Sequence, residues 1–389
     1  MMGRGSEIVG ILGAGTMGSG IAHVAAAAGH QVLMYDERPE ARASARDRVA
    51  TDLSKLVERG KLTGRDKTEI ADRIRPVDGL RALSPAVIVI EAIVEDYVPK
   101  QKLFAELGAF LPPESLLATN TSSLSVTALA ASSGRPASFV GMHFFNPAPV
   151  MELVEVVRAL QTSDETAARA DDLLRRWKKE PIPVKDSPGF LVNRIARPFY
   201  GEALRIVEEH KATPGEVDAA MKQCGRFKMG PFELMDLIGN DVNYAVTENI
   251  FRETYFDRRY VPSALQKKYV EAGFLGKKSG RGFYDYARPM PHTEIEPARG
   301  SDIFLRVLVM LINEAVEALR AGLASKEDIE RAMIKATNYP LGLLHWADEI
   351  GLGEVHSRLS ALFEAYGDDR YRPSPLLKQM ARDGKAFFA

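Results

Sequence analysis

The chain has one cysteine, Cys224, among 389 residues. No intrachain disulfide can form, and the pattern fits a reducing compartment, the cytoplasm. Charge of one sign is also missing. The 51 Lys and Arg residues balance 52 Asp and Glu to a net charge of -1, which gives no general pull toward nucleic acid or a membrane. No apolar run reaches the roughly 18–20 residues of a membrane span. Residues 1–6 are polar and lack the apolar segment of a signal peptide. The seven histidines show no metal-ligand spacing. What remains is an ordinary globular composition, 46% hydrophobic and 26% charged. It can bury a sizeable core, and the length fits two or three domains.

The first half alternates between two periodicities. Apolar runs of strand length occupy residues 8–12, 31–35, 87–90, 116–118, 139–144 and 153–157. Between them, residues 17–28, 39–59 and 99–111 have helical character. Strand–helix alternation with continuously apolar strands predicts an α/β Rossmann-type doubly wound sheet, parallel and covered on both faces. Composition shifts at Lys185-Asp186-Ser187-Pro188-Gly189, beyond which the chain reads as helical. Ser187 is expected to cap the next helix, with Pro188 at its first position.

The final hundred residues resemble the hundred before them. Gly201-Glu202-Ala203-Leu204 returns as Asn313-Glu314-Ala315-Val316, and Glu216-Val217-Asp218 as Asp328-Ile329-Glu330. Arg259-Tyr260-Val261-Pro262-Ser263 returns as Arg370-Tyr371-Arg372-Pro373-Ser374. The separation stays close to 112 residues (201 to 313, 216 to 328), which reads as an internal duplication. The expected organisation is a nucleotide-binding domain over 1–186, an all-α domain over 187–286, a Pro-rich linker over 287–297, and a second all-α domain over 298–389.

Gly13-Ala14-Gly15-Thr16-Met17-Gly18 fits G-x-G-x-x-G. The motif alone is weak, but this one follows a strand, opens a helix and is followed by Asp36 at the end of the second strand. Gly13 permits the tight turn, Gly15 lets the backbone approach a pyrophosphate, and Gly18 lets helix and strand pack closely. The helix N-terminus favours anions. Asp36 suits a ribose diol and repels a 2′-phosphate, so NAD is expected rather than NADP. Arg38 weakens that preference. The bland alternative is a strand–turn–helix with no ligand.

A second group of residues has the makings of chemistry. His143 lies in Met142-His143-Phe144-Phe145-Asn146-Pro147, at the end of an apolar strand, where open parallel sheets place their ligands. Oxidising an alcohol by hydride transfer needs a base near pH 7, a task suited to imidazole. A carboxylate such as Glu155 would fix its tautomer. The competing readings are a structural histidine and a solvated strand-edge Glu. The hydroxyls of Asn120-Thr121-Ser122-Ser123-Leu124-Ser125 either hold a substrate oxygen or cap a helix. Asn193 either completes a site or lies on a helix surface.

Taken together, residues 13–22, 91–95, 120–124, 143–147, 186–194, 229–234 and 276–284 resemble the 3-hydroxyacyl-CoA dehydrogenase family in order and spacing. The resemblance covers roughly residues 6–286. His-Phe-Phe-Asn-Pro and Asp-Ser-Pro-Gly-Phe-Leu-Val-Asn-Arg are its most specific strings. It implies NAD as cofactor and an acyl-CoA thioester bound between the nucleotide domain and the first helical domain. It further implies His143 as base, Glu155 as its orienting carboxylate, and Ser122 and Asn193 as holders of the reacting oxygen and thioester. Asn146 falls on the nicotinamide side, and Asp36, Glu95, Lys100 and Lys278 at dinucleotide contacts. Arg59 and Lys61 fall near the CoA phosphates. The second helical copy departs from the pattern: the counterpart of Asn193 is Leu305. Because the family's helical domain makes its dimer contact, the chain is expected to be a homodimer or a monomer holding an internal pseudo-dimer.

The expected reaction is NAD-dependent interconversion of (S)-3-hydroxyacyl-CoA and 3-oxoacyl-CoA, short-chain by default, such as 3-hydroxybutyryl-CoA. A 3-hydroxyadipyl-CoA substrate is the alternative, if Arg226 and Lys228 meet an acyl carboxylate. A free hydroxy-acid dehydrogenase and a non-catalytic NAD-binding protein are the competing classes. The first would want an Arg facing His143, and the second would be favoured by loss of His143, Glu155 or Asn193.

Overall fold

The computed structural model describes residues 7–289 and 293–388. The leader reading of residues 1–6 and the centre of the 287–297 linker lie outside them. The chain divides into two compact units, Met1–Asp186 and Ser187–Ala389.

The first unit is an eight-stranded sheet in the order β3-β2-β1-β4-β5-β6-β7-β8. Its strands are β1 (Ile8–Leu12), β2 (Gln31–Tyr35), β3 (Ile74–Pro76), β4 (Ile88–Glu91), β5 (Leu116–Thr119), β6 (Phe139–Phe144), β7 (Leu153–Arg158) and β8 (Glu180–Lys185). Its helices are α1 (Thr16–Ala27), α2 (Pro39–Glu58), α3 (Gly64–Asp72), α4 (Tyr97–Phe110), α5 (Val126–Ser132) and α6 (Asp164–Arg176). Strand order reverses at β1, with β2 on one side and β4 on the other. This is the switch point at which doubly wound sheets bind nucleotides. The central strands are buried along their length, which explains their unbroken apolar runs.

The sheet is not wholly parallel, contrary to expectation. β7 runs antiparallel to β6, and β8 runs parallel to β7. The connection over residues 145–152 is too short for a parallel crossover, which needs a dozen or more residues. The apolar run of β7 hides this reversal because the strand is buried like its parallel neighbours.

Among the described residues the second unit is built mainly of helices, with isolated bridges pairing Arg281 with Gly276 and with Asp285. It contains α7 (Val192–Ile195), α8 (Arg197–Glu208), α9 (Pro214–Gln223), α10 (Pro231–Ile238), α11 (Asn240–Glu253) and α12 (Ala264–Glu271). Then follow α13 (Pro297–Arg320), α14 (Lys326–Thr337), α15 (Leu343–Ile350), α16 (Leu352–Tyr366) and α17 (Pro375–Arg382). Ser187 does not cap the first helix. Gly189 and Phe190 take positive φ and delay the helix start to Val192, with Leu191 at the N-cap.

Details recur along this unit. Asp218 accepts the Phe232 and Glu233 N–H groups at the start of α10. Glu330 does the same for Leu344 and His345 at the start of α15. Gly239 and Gly351, both at positive φ, each join one helix directly to the next. One difference is local. Pro198 lies in the first turn of α8, where its ring removes a helical hydrogen bond and crowds the carbonyl four residues back. The helix therefore breaks at Ala196, leaving α7 a single turn. Met310, 112 positions after Pro198, lies within α13, and that helix runs unbroken.

Candidate active site

The glycine loop forms the first part of the site. Gly13 has φ +94°, and a Cβ there would stand 2.4 Å from the Ala92 carbonyl oxygen. A Cβ on Gly18 would stand 1.9 Å from the Gly13 oxygen. Both positions therefore exclude any side chain. Gly15 differs: a Cβ there meets nothing within 4 Å, and as N-cap of α1 it has no side chain to satisfy the first helical N–H groups. Thr16 and Met17 open the helix. The space and unmet donors suit a phosphate.

At the end of β2, Asp36 accepts the Ala14 N–H at 2.8 Å through one oxygen and the Arg38 N–H at 3.0 Å through the other. Burial works to raise its carboxyl, but these bonds and the Arg38 charge bring it below the ordinary range. Arg38 Nε lies 3.3 Å from the carboxylate, so that guanidinium is engaged by Asp36. Arg48 on α2 donates to the Ala14 carbonyl at 2.9 Å. Switch-point glycines, an open N-cap and an ionised acid at the β2 end fit NAD.

A buried charge cluster holds the next strand ends. Glu91, fully buried at the end of β4, accepts from Ile93 N–H, Lys100 Nζ and Thr119 Oγ1 at 2.5–2.7 Å. Lys100 is 1% exposed and bridges Glu91 to Glu95, 3.1 Å away. Glu95 gathers the 121–123 loop, accepting from the Thr121 hydroxyl and from the N–H and hydroxyl groups of Ser122 and Ser123. Ser122 is half-buried on this loop. Ser125 caps α5 through Ala128 N–H, so capping and loop display coexist in one stretch. Burial works to raise the Glu95 carboxyl, and Lys100 with the Thr121 and Ser122 donors brings it down.

His143 and Glu155 face each other across the β6–β7 pair. His143 Nδ1 lies 2.6 Å from Glu155 Oε2, and Glu155 is fully buried. Opposed residues of an antiparallel pair have Cβ atoms about 5 Å apart on one face, so the ladder itself brings the two side chains together. The histidine ring also packs against Phe145, with centroids 4.6 Å apart. The residue Asn120 ties this strand end to its neighbour, its Oδ1 accepting the Phe144 N–H at 2.8 Å. Asn146 lies just beyond and is exposed.

The structure thus brings together three sets: the glycine loop with Asp36, Ser122 with Glu95 and Lys100, and His143 with Glu155. Arg59 and Lys61 lie apart from these sets, exposed past the end of α2. Two site candidates belong to the helical unit. Asn193 is half-buried on α7, and Lys278 forms an ion pair with Asp241 at 2.7 Å. Glu91, Asn120 and Arg48 escape a residue-by-residue reading. The available signal for Glu91 and Asn120 is their place at or just past the ends of apolar strands. Arg48 has none, because helical periodicity does not report which polar residue reaches a loop.

A dinucleotide cradle at the switch point and a histidine–carboxylate pair on the same sheet mark an NAD-dependent oxidoreductase. The model "3-hydroxyacyl-CoA dehydrogenase, NAD binding domain" matches residues 8–187. The model "3-hydroxyacyl-CoA dehydrogenase, C-terminal domain" matches residues 189–286 and 303–386. The chain is 38% identical to 3-hydroxyadipyl-CoA dehydrogenase of Escherichia coli, over 96% of this chain and 97% of that protein. It is 45% identical to a probable 3-hydroxybutyryl-CoA dehydrogenase of Deinococcus radiodurans, over 71% of this chain and 99% of that one. A solved structure of 3-hydroxybutyryl-CoA dehydrogenase from Escherichia coli superposes with a TM-score of 0.92 at 37% identity, covering 98% of this chain and 99% of that chain. The chain belongs to the 3-hydroxyacyl-CoA dehydrogenase family, NAD-dependent enzymes that oxidise 3-hydroxyacyl-CoA.

Proposed function

We propose that the chain interconverts (S)-3-hydroxybutyryl-CoA and acetoacetyl-CoA, with His143 as the base. The observation that carries this reading is the 2.6 Å bond between His143 Nδ1 and the buried Glu155. With Nδ1 engaged by the carboxylate, the ring takes the substrate hydroxyl proton through Nε2, and Glu155 stabilises the imidazolium that results. In the reverse direction the same nitrogen returns the proton to the oxo group. Bound NAD supplies the hydride acceptor. Gly13, Gly15, Gly18 and the α1 N–H groups of Thr16 and Met17 hold its pyrophosphate, and Asp36 its ribose. Glu95, Lys100, Asn146 and Lys278 complete the dinucleotide contacts. Ser122 and Asn193 hold the reacting oxygen and the thioester, and Arg59 and Lys61 serve the CoA phosphates. Cytoplasmic location belongs to this reading. Among the described residues no helix is long and apolar enough to cross a membrane.

NADH absorbance followed with acetoacetyl-CoA tests the assignment. Oxidation by the parent chain, nearly lost in a folded His143→Ala variant that still binds NADH, is the expected result. No oxidation by an NADH-binding parent chain would refute the substrate.

A second substrate reading is 3-hydroxyadipyl-CoA. It is favoured by the full-length match to an enzyme of that name and by exposed Arg226, which follows α9 at φ 56°. Faster turnover of 3-oxoadipyl-CoA than of acetoacetyl-CoA, lost in Arg226→Ala, would establish it.

We also infer that residues 298–389 duplicate residues 187–286 and pack on them as an internal pseudo-dimer. Reciprocal ion pairs support this. Arg194 of the first copy meets Glu314 of the second at 2.9 Å, and Arg306 of the second meets Glu202 of the first at 2.6 Å. Tyr260 donates to Glu314 and Tyr371 to Glu202. Self-complementary contact of this kind is the signature of two-fold pairing. On this reading the full chain is a monomer. A chain ending at Tyr286 should self-associate, and an equally stable monomer of that length would contradict the inference.

A further inference from the structure

The second copy lacks a counterpart of Asn193, yet it reaches the turn that carries Asn193. That turn, α7, is cut off from α8 by Pro198 and has only one helical turn of its own. It is held from outside. Arg197 Nε donates to the Asn193 carbonyl at 2.8 Å, and Arg194 Nε, one residue along, donates to Glu314 Oε1 at 2.9 Å. Glu314 projects from α13 and is 2% exposed. It is itself fixed from three sides, by Arg194, by the Tyr260 hydroxyl and by Arg259 Nη1 at 3.2 Å. The matching acid of the first copy, Glu202, receives Arg306 and Tyr371, and its other oxygen is buried without a partner. The two ion pairs are thus near-equivalent in chemistry but unequal in what they hold. Arg194 adjoins Asn193, whereas Arg306 adjoins Leu305 on an unbroken helix.

We propose that Glu314 is a positioning residue for the reaction: through Arg194 it fixes the isolated turn Val192–Ile195 and with it the Asn193 side chain. The second helical copy therefore completes the catalytic machinery from within the same chain. The proposal rests on the reading that Asn193 holds the substrate. Displacing such a group by about 1 Å costs about 10²-fold in rate, so loss of the tether should appear in kcat and leave NADH binding alone.

The symmetry supplies its own control. Full-length Glu314→Gln, Glu202→Gln and Asn193→Ala are compared for kcat and KM with acetoacetyl-CoA, for NADH affinity by fluorescence and for Tm. The proposal expects Glu314→Gln to lower kcat at least about tenfold, with wild-type NADH affinity. Glu202→Gln should lose similar Tm but keep kcat within about twofold. Equal effects of the two Glu variants on kcat, or none from Glu314→Gln, overturn it. Wild-type kcat in Asn193→Ala overturns the underlying reading of Asn193 and the proposal with it, a result distinct from the others. If Glu314→Gln does not fold, Glu314→Asp keeps the charge and shortens its reach. Wild-type kcat in that variant overturns the proposal, and a selective kcat loss supports it.

Discussion

Glu155 stands directly opposite His143 on the antiparallel β6–β7 pair, its carboxylate 2.6 Å from Nδ1. The reversal of β7 is what makes this possible, because it aligns two residues twelve positions apart on one face of the ladder. Glu155→Gln keeps the shape of the side chain and removes its charge. With the imidazolium no longer stabilised and the tautomer no longer fixed, kcat should fall by about 10²–10⁴-fold. NADH affinity, measured by fluorescence, should stay unchanged. A kcat within threefold of wild type would argue against Glu155 as the orienting group.

The glycines of the loop should separate by substitution. Gly15→Ala introduces a methyl group into open space at φ −75°, so Tm should hold while NADH affinity falls, because the methyl occupies the path of the pyrophosphate. Gly18→Ala places its methyl 1.9 Å from the Gly13 oxygen and should lower Tm markedly. Calorimetry and NADH titration on both variants check the contrast. Equal behaviour would mean the loop does not distinguish ligand space from packing.

Lys100 is buried between two carboxylates. Lys100→Met leaves Glu91 and Glu95 facing each other without a cation. Removing one partner from such a buried set typically costs about 3–5 kcal/mol. Denaturant unfolding should report a loss of that order, and a change below about 1 kcal/mol would show that the cluster relaxes or takes up protons.

Glu209 gives the helical unit an acid-sensitive tie. Burial works to raise its carboxyl, but hydrogen bonds from Arg306, Tyr366 and Lys211 bring it down to about 2 from an ordinary 4.5. A carboxyl depressed on folding stabilises fully above its ordinary value and ceases to do so as pH falls through its folded value. Glu209→Gln should therefore lower Tm near neutral pH, and the gap from wild type should close between about pH 4.5 and 2. A gap independent of pH over that window would remove ionisation from the explanation.

The residues most legible in the sequence are those whose role depends on local geometry. Gly13 and Gly18 declare themselves because a turn and a close packing contact each restrict the residue allowed, and Gly15 declares itself only through the motif spacing it shares with them. Asp36 declares itself because strand length places it next to that loop. The likeness between the Glu202 and Glu314 segments is visible for the same reason, since helical segments keep the spacing of their residues. Tertiary structure decided the rest. Strand direction is absent from an apolar run, so the meeting of His143 with Glu155 needed the short 145–152 connection and the register it imposes. The start of the first helix at Val192, rather than behind Ser187, followed from left-handed backbone at Gly189 and Phe190. The clamp of Glu91, Lys100 and Glu95 joins β4, the following loop and a helix. The bond from Arg194 to Glu314 joins residues 120 apart. Contacts at such distances are selected by packing of whole elements, and no local pattern of residues carries them.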